Sequence, residues 1–283
     1  MIFKFISYDI KEGTIKYLGK FFIVIVLTII SCIILDKKTE FVTDIFNQHW
    51  GFAESCLDIF SGRYPFKFEW DSVERFELPF TWFLIFFFLA YCIGDYLNKD
   101  MHGFGMQMMV HSRKYSTWWI SKCIWSIFTT VLYFAFIYAS VLGYSWVKYG
   151  EISNERHYLM YEMRFGSGNK FQNITTERLM FLIILMPVMV GILQTLLQII
   201  MSMFFDATKN MTVIGGILII SCYYGNPFLP HGYAMVYRYF SDGSGTKVLE
   251  EAFGIKYLAI LIFILFIVGY FILRRKDILE KNN

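Results

Sequence analysis

The chain has 283 residues, of which 56% are hydrophobic, 20% aromatic and only 17% charged, with a formal net charge of +3. Its mean hydropathy of +0.47 excludes an ordinary water-soluble domain, which needs more charge on its surface, and no nucleic-acid partner is expected. The implied solvent is a lipid bilayer, and the implied fold class is all-α, because a helix satisfies its own backbone hydrogen bonds where lipid cannot. A membrane β-barrel would show short alternating segments instead.

Crossing a hydrocarbon core of about 30 Å takes roughly 20 apolar residues. On that measure the chain reads as one polytopic domain with six spans, 17–35, 78–94, 118–147, 179–205, 211–224 and 257–273. Residues 1–16 place Ile2, Ile6 and Ile10 four apart with Lys4, Lys11 and Glu12 around them, the pattern of a helix lying in the inner interface; a first span that starts early is the alternative, which the charges disfavour. An acidic outer loop, 36–77, follows the first span and reads either as a lid or as a solvated connector. Cys56 falls in that loop, apart from the other four cysteines, which lie in or beside spans, so no disulfide framework is expected.

The Phe-rich second span suits packing against lipid or bulky apolar cargo. Between it and the third span lies a polar and basic interval with a helical pattern of its own. On a helix, Met101, Phe104, Met108 and Tyr115 share one face, and Asp100, Gly103, Gln107 and Lys114 share another. Trp118, Trp119 and Lys122 then mark the return to the inner interface. In the fourth span Gln194 and Gln198 stand one turn apart and must meet either a partner helix or a wet translocation path. After the short fifth span, Gly225, Pro227, Pro230 and Gly232 stop a helix while Tyr233, Tyr237 and their neighbours stay aromatic, so 225–240 reads as a re-entrant segment on the outer side, with an interfacial loop carrying an aromatic belt as the alternative. The last span ends in Arg274, Arg275 and Lys276. Basic residues are denser in the segments that lie inside when both termini are cytoplasmic.

The chain carries no P-loop, no HExxH and no convergent acid, base and nucleophile, so it is not expected to be an enzyme. Glu250 and Glu251 resemble the paired glutamates of an intramembrane protease, but the Arg expected four residues later is replaced by Ile255.

GFGMQMMVHSRKYSTWWISK and NPFLPHGYAMVYRYF, in this order of spans and with the terminal RRKDIL, resemble type-2 permeases of ATP-binding-cassette (ABC) transporters, in particular small Firmicutes permeases of antimicrobial-peptide export and immunity. The resemblance implies a multi-pass protein of the bacterial plasma membrane, a permease subunit for a bacteriocin or other amphipathic cargo. It would pair with a second permease, identical or different, and dock a cytoplasmic ABC ATPase that binds the ATP and Mg; this chain would bind no cofactor. Residues 100–116 would be the coupling helix, with Asp100, Gly103, Gln107, Arg113 and Lys114 as docking residues. A peripheral helix held only by anionic headgroups is the competing reading of that stretch. Gln194 and Gln198 would line the translocation path, and Pro227, Pro230, Tyr233 and Tyr237 would form the outer gate. Export of lipid or drug, and a scaffold or sensor that transports nothing, are the alternatives.

Overall fold

The computed structural model describes residues 2–46, 49–66, 76–101, 103, 105, 107, 115–152, 174–240 and 248–275, and among these it is helical with no strand. Helix α1 spans Ile2–Asp9 and runs through a π turn (Ile10–Thr14) and a 3-10 turn (Ile15–Tyr17) into α2, Leu18–Phe46. Then come α3 (Phe52–Phe60), α4 (Phe80–Met101), α5 (Tyr115–Tyr149) and α6 (Thr176–Met180). A second π turn, Phe181–Leu185, joins α6 to α7 (Met186–Ser202). After α8 (Ala207–Tyr223), two 3-10 turns, Pro230–Ala234 and Val236–Tyr239, lead towards α9 (Glu251–Arg275).

Four stretches are long and apolar enough to cross a membrane: Ile2–Phe41, Tyr115–Tyr149, Thr176–Ser202 and Glu251–Arg275. The apolar helices Phe80–Gly94 and Ala207–Tyr223 are shorter. In α9 only 11% of the apolar window is buried, and Ile260, Phe263, Ile267 and Phe271 stand exposed. So large an apolar face is unstable in water and stable in lipid.

Helix ends and apolar-run ends do not coincide. The outer loop expected from Asp36 begins inside α2, because Asp36, Lys37, Lys38 and Glu40 end the apolar run but are not helix breakers; no Gly or Pro follows until Gly51. Within the same loop, α3 starts where Gly51 N donates to Glu54 Oε2 at 3.0 Å. It buries Phe52, Leu57, Ile59 and Phe60, and Cys56 is fully buried rather than exposed. In α1 the buried residues are Phe5 and Asp9, one turn apart, while Ile2 and Ile6 are half-buried.

Pro187 explains the π turn ahead of α7. It has no N–H to give the carbonyl four residues back, that of Ile183, and its ring crowds that turn. Tyr138 OH, from α5, donates to Ile183 O at 2.9 Å and so occupies the carbonyl that Pro187 leaves free. Gly191 allows α5 to approach at this level, since a Cβ there would stand 2.6 Å from Phe134 Cε2.

Helix α4 fixes the two ends of the bundle. Near its start, Trp82 Nε1 donates to Ala234 O at 3.0 Å; near its end, Tyr96 OH donates to Asp9 Oδ1 at 2.6 Å. Trp82 and Asp100 are therefore separated by about 27 Å of helix, with the Pro/Gly-broken segment at one end and α1 at the other.

Candidate functional site

At the α1 end, a cluster of charge is closed off from solvent. Asp9 is 1% exposed, Asp100 4% and Lys122 1%. Lys122 Nζ lies 2.5 Å from Asp9 Oδ1 and 2.5 Å from Asp100 Oδ2. Ser121 Oγ donates to Asp9 Oδ2 at 2.5 Å, and Lys122 Nζ donates to Tyr96 OH at 3.0 Å. Asp9 is thus held by three donors. Among the described residues Asp100 makes the ion contact to Lys122, and neither of its oxygens meets a donor with the alignment of a hydrogen bond. Lys122 also sits over the Tyr96 and Trp118 rings, 4.7 and 5.3 Å from their centroids.

Local sequence builds this site. Tyr96 and Asp100 are four apart on the last turns of α4 and so share a face, while Ser121 and Lys122 face them from the second turn of α5. The π turn after α1 brings in Gly13 and Thr14. A Cβ on Gly13 would stand 2.6 Å from both Trp125 Nε1 and Tyr96 Cε1. Thr14 Oγ1 meets Thr129 Oγ1 at 2.7 Å and accepts from Trp125 Nε1 at 3.0 Å. Gly105 lies so close to the Asp100 carboxylate that a Cβ would collide with both of its oxygens.

Two carboxylates share one ammonium. Burial pushes the Asp100 carboxyl above its ordinary value, against the opposing pull of Lys122, and the Asp9 charge adds to the rise. Burial first, then Asp100 and Asp9, push the Tyr96 phenol up, so Tyr96 remains a donor. The folded chain therefore keeps a proton on Asp100 at a pH where the unfolded chain has lost it. Its stability should fall as pH rises from the ordinary carboxylate value through the raised one. Asp100→Asn is expected to flatten that part of the profile, as measured by unfolding midpoints of purified protein across the acid range; parallel profiles would count against the assignment.

Of the docking residues expected from sequence, Asp100 is buried against Lys122. Its side chain turns inward because Lys122 offers the nearest counter-charge. Gly103 sits in a bend, its N–H 3.3 Å from Asp100 O, and Gln107 is exposed. Arg113 and Lys114 lie outside the described residues, as does most of 100–116.

Gln194 and Gln198 are buried and register α7 against α4. Their Nε2 atoms donate to Phe86 O at 2.9 Å and Ala90 O at 3.2 Å, carbonyls that are also one turn apart. Of the two roles open from sequence, these bonds fill the interhelical one. His231 Nε2 donates to Gln194 Oε1 at 3.0 Å, which carries the zipper into the Pro/Gly segment. There Tyr233 OH donates to Pro227 O at 2.9 Å, Pro230 opens the first 3-10 turn, and the Tyr237 ring packs 4.8 Å from that of Tyr64. Tyr237 N donates to Ser61 O at 2.9 Å, so the segment is tied to the stretch after α3.

Asp9, Tyr96, Ser121, Lys122, His231 and Arg238 were not singled out from the sequence as site residues. A signal existed for Lys122, a charge within a turn of Trp118 and Trp119 at the start of an apolar run, but it reads equally well as an interface marker.

A family model described as "Protein of unknown function (DUF2705)" matches residues 57–279. The chain belongs to that family. No curated protein and no solved structure matches it. The match runs from α3 into the last residues of the chain and takes in Tyr96, Asp100, Ser121 and Lys122. Asp9 and the rest of α1 precede the matched stretch of this DUF2705 chain.

Proposed function

We propose that the chain is the permease subunit of an ATP-driven exporter, with six spans and both termini in the bacterial cytoplasm. Its cargo is a peptide or another amphipathic molecule. A second permease chain completes the path, and a separate ATPase, which binds ATP and Mg, docks on residues 100–116. The observation that carries this reading is the buried charge cluster at the root of that segment. A motor that closes on ATP must push against something stiff. Asp100 sits where α4 gives way to the segment, Lys122 sits on α5 beyond it, and Asp9 ties both to α1. Force applied to 100–116 would reach three helices through one junction, while the exposed Gln107 remains free for a protein groove. Apolar helices left uncovered by the chain itself, α9 above all, leave room for a second permease as well as for lipid.

The test is first whether a gene for a Walker-motif ATPase lies next to this one, and then co-expression of that ATPase with this chain, followed by purification through a tag on the permease. Replacing Gln107, Arg113 and Lys114 together by Ala is expected to lower recovery of the ATPase at least tenfold while leaving the amount of folded permease unchanged. Undiminished recovery would sink the docking assignment.

A further inference from the structure

At the other end of the bundle, Arg238 is buried with no counter-charge among the described residues. It is 4% exposed, and its Nη2 donates to Ser221 O at 3.1 Å and Cys222 O at 2.7 Å, carbonyls in the last turn of α8. These two bonds use both hydrogens of Nη2. The remaining donors, one on Nε and two on Nη1, meet no acceptor, and no carboxylate among the described residues pairs with the guanidinium. A desolvated cation with three open donors is unfavourable unless something negative or strongly polar meets it.

Nη1 faces a small cavity lined by Pro65, Tyr224, Gly225, Asn226, Gly232 and Leu249. The space, about 10 Å³ for the centre of a water-sized sphere, admits one atom of that size. Gly225 keeps it open. A Cβ there would stand 2.5 Å from Pro65 Cγ and 3.3 Å from Arg238 Nη1, filling the space between them. Tyr224, Gly225 and Asn226 are exposed, so the cavity has a route to solvent past them. Asn226 Oδ1 accepts from Phe228 N at 2.9 Å, which holds that rim in a fixed turn.

We propose that Arg238 is the seat of a monovalent anion that presents a single small atom, a chloride ion or one oxygen of a carboxylate, entered past Gly225. The guanidinium supplies its charge and one N–H of Nη1 to such an atom, and the cavity size excludes tetrahedral oxyanions bound whole. This site does not depend on the transport reading. It lies on the Pro/Gly-broken side of the bundle, where Trp82 near the start of α4 meets Ala234, and not at the α1 end that holds the charge cluster.

The experiment uses the full-length protein in detergent at constant ionic strength, with methanesulfonate exchanged stepwise for chloride in one arm and for formate in the other. The readout is the unfolding midpoint, with ³⁵Cl line broadening as a second measure in the chloride arm. A saturable rise in midpoint in either arm is expected, and the arm with the lower half-saturation identifies the source of the anion. Arg238→Gln should abolish the dependence. Should that variant fail to fold, Gly225→Ala serves instead: it leaves Arg238 in place, fills the cavity and should weaken the half-saturation at least tenfold. A wild-type midpoint that responds to neither anion, or a response that Gly225→Ala leaves unchanged, would overturn the proposal and assign the cavity to water.

Discussion

Lys122→Met is expected to cost about 3–5 kcal/mol, the penalty for removing one partner from a buried ion cluster. The side chain is replaced by one of similar length and no charge, so little packing is lost. What changes is that Asp9 and Asp100, both buried and both within 2.5 Å of Nζ in the native chain, lose their counter-ion. Asp9 keeps the Tyr96 and Ser121 hydroxyls; Asp100 keeps nothing aligned. Thermal unfolding of the purified protein, or the yield of monodisperse protein where unfolding is irreversible, measures the loss. The triple change Asp9→Asn, Asp100→Asn, Lys122→Met removes all three charges together. It should recover much of the stability lost by the single change, because replacing a whole buried ion cluster by neutral groups is often close to neutral. A Lys122→Met protein as stable as the native one would remove the cluster from any structural role.

The same cluster marks how far sequence reading reaches. That the chain is helical and apolar enough for a membrane follows from composition and run length, and the helices fall where the runs are. Helix ends lie beyond the apolar runs where apolar character and helix propensity part company, as at Asp36 to Phe46, where charged residues continue a helix that the apolar run has left. Asp100 was grouped by periodicity with Gly103, Gln107 and Lys114. Periodicity fixes which residues share a face but not what that face meets, and a cation 22 positions downstream decided the matter. Gln194 and Gln198 show the opposite case. Their spacing already demanded a common partner, and only the identity of that partner, the carbonyls of Phe86 and Ala90, needed coordinates. Asp9 had no such signal: one carboxylate among lysines and isoleucines is indistinguishable from a solvated face until α1 is seen packed on α5.

Two glycines near the start of the chain should respond to the same substitution with opposite sign. Gly→Ala inside a helix is favourable by up to about 1 kcal/mol through backbone entropy alone. At Gly19, in the first turn of α2, nothing lies within 4 Å of a built Cβ, so Gly19→Ala should be neutral or stabilising by up to that amount. At Gly13 the same Cβ meets the Trp125 and Tyr96 rings at 2.6 Å, and both rings are closed in by the core. Overpacking of this kind costs about 1–3 kcal/mol, and here it acts on bonded groups. Moving Trp125 breaks its bond to Thr14, and moving Tyr96 withdraws a donor from Asp9. Each lost bond adds about 1 kcal/mol, so the loss outweighs the helical gain severalfold. Unfolding midpoints of the two variants, measured side by side, decide the matter: Gly13→Ala should fall well below the native protein and Gly19→Ala should not. Equal midpoints would mean that the π turn yields freely, and that α1 is not pinned to α4 and α5 through Gly13.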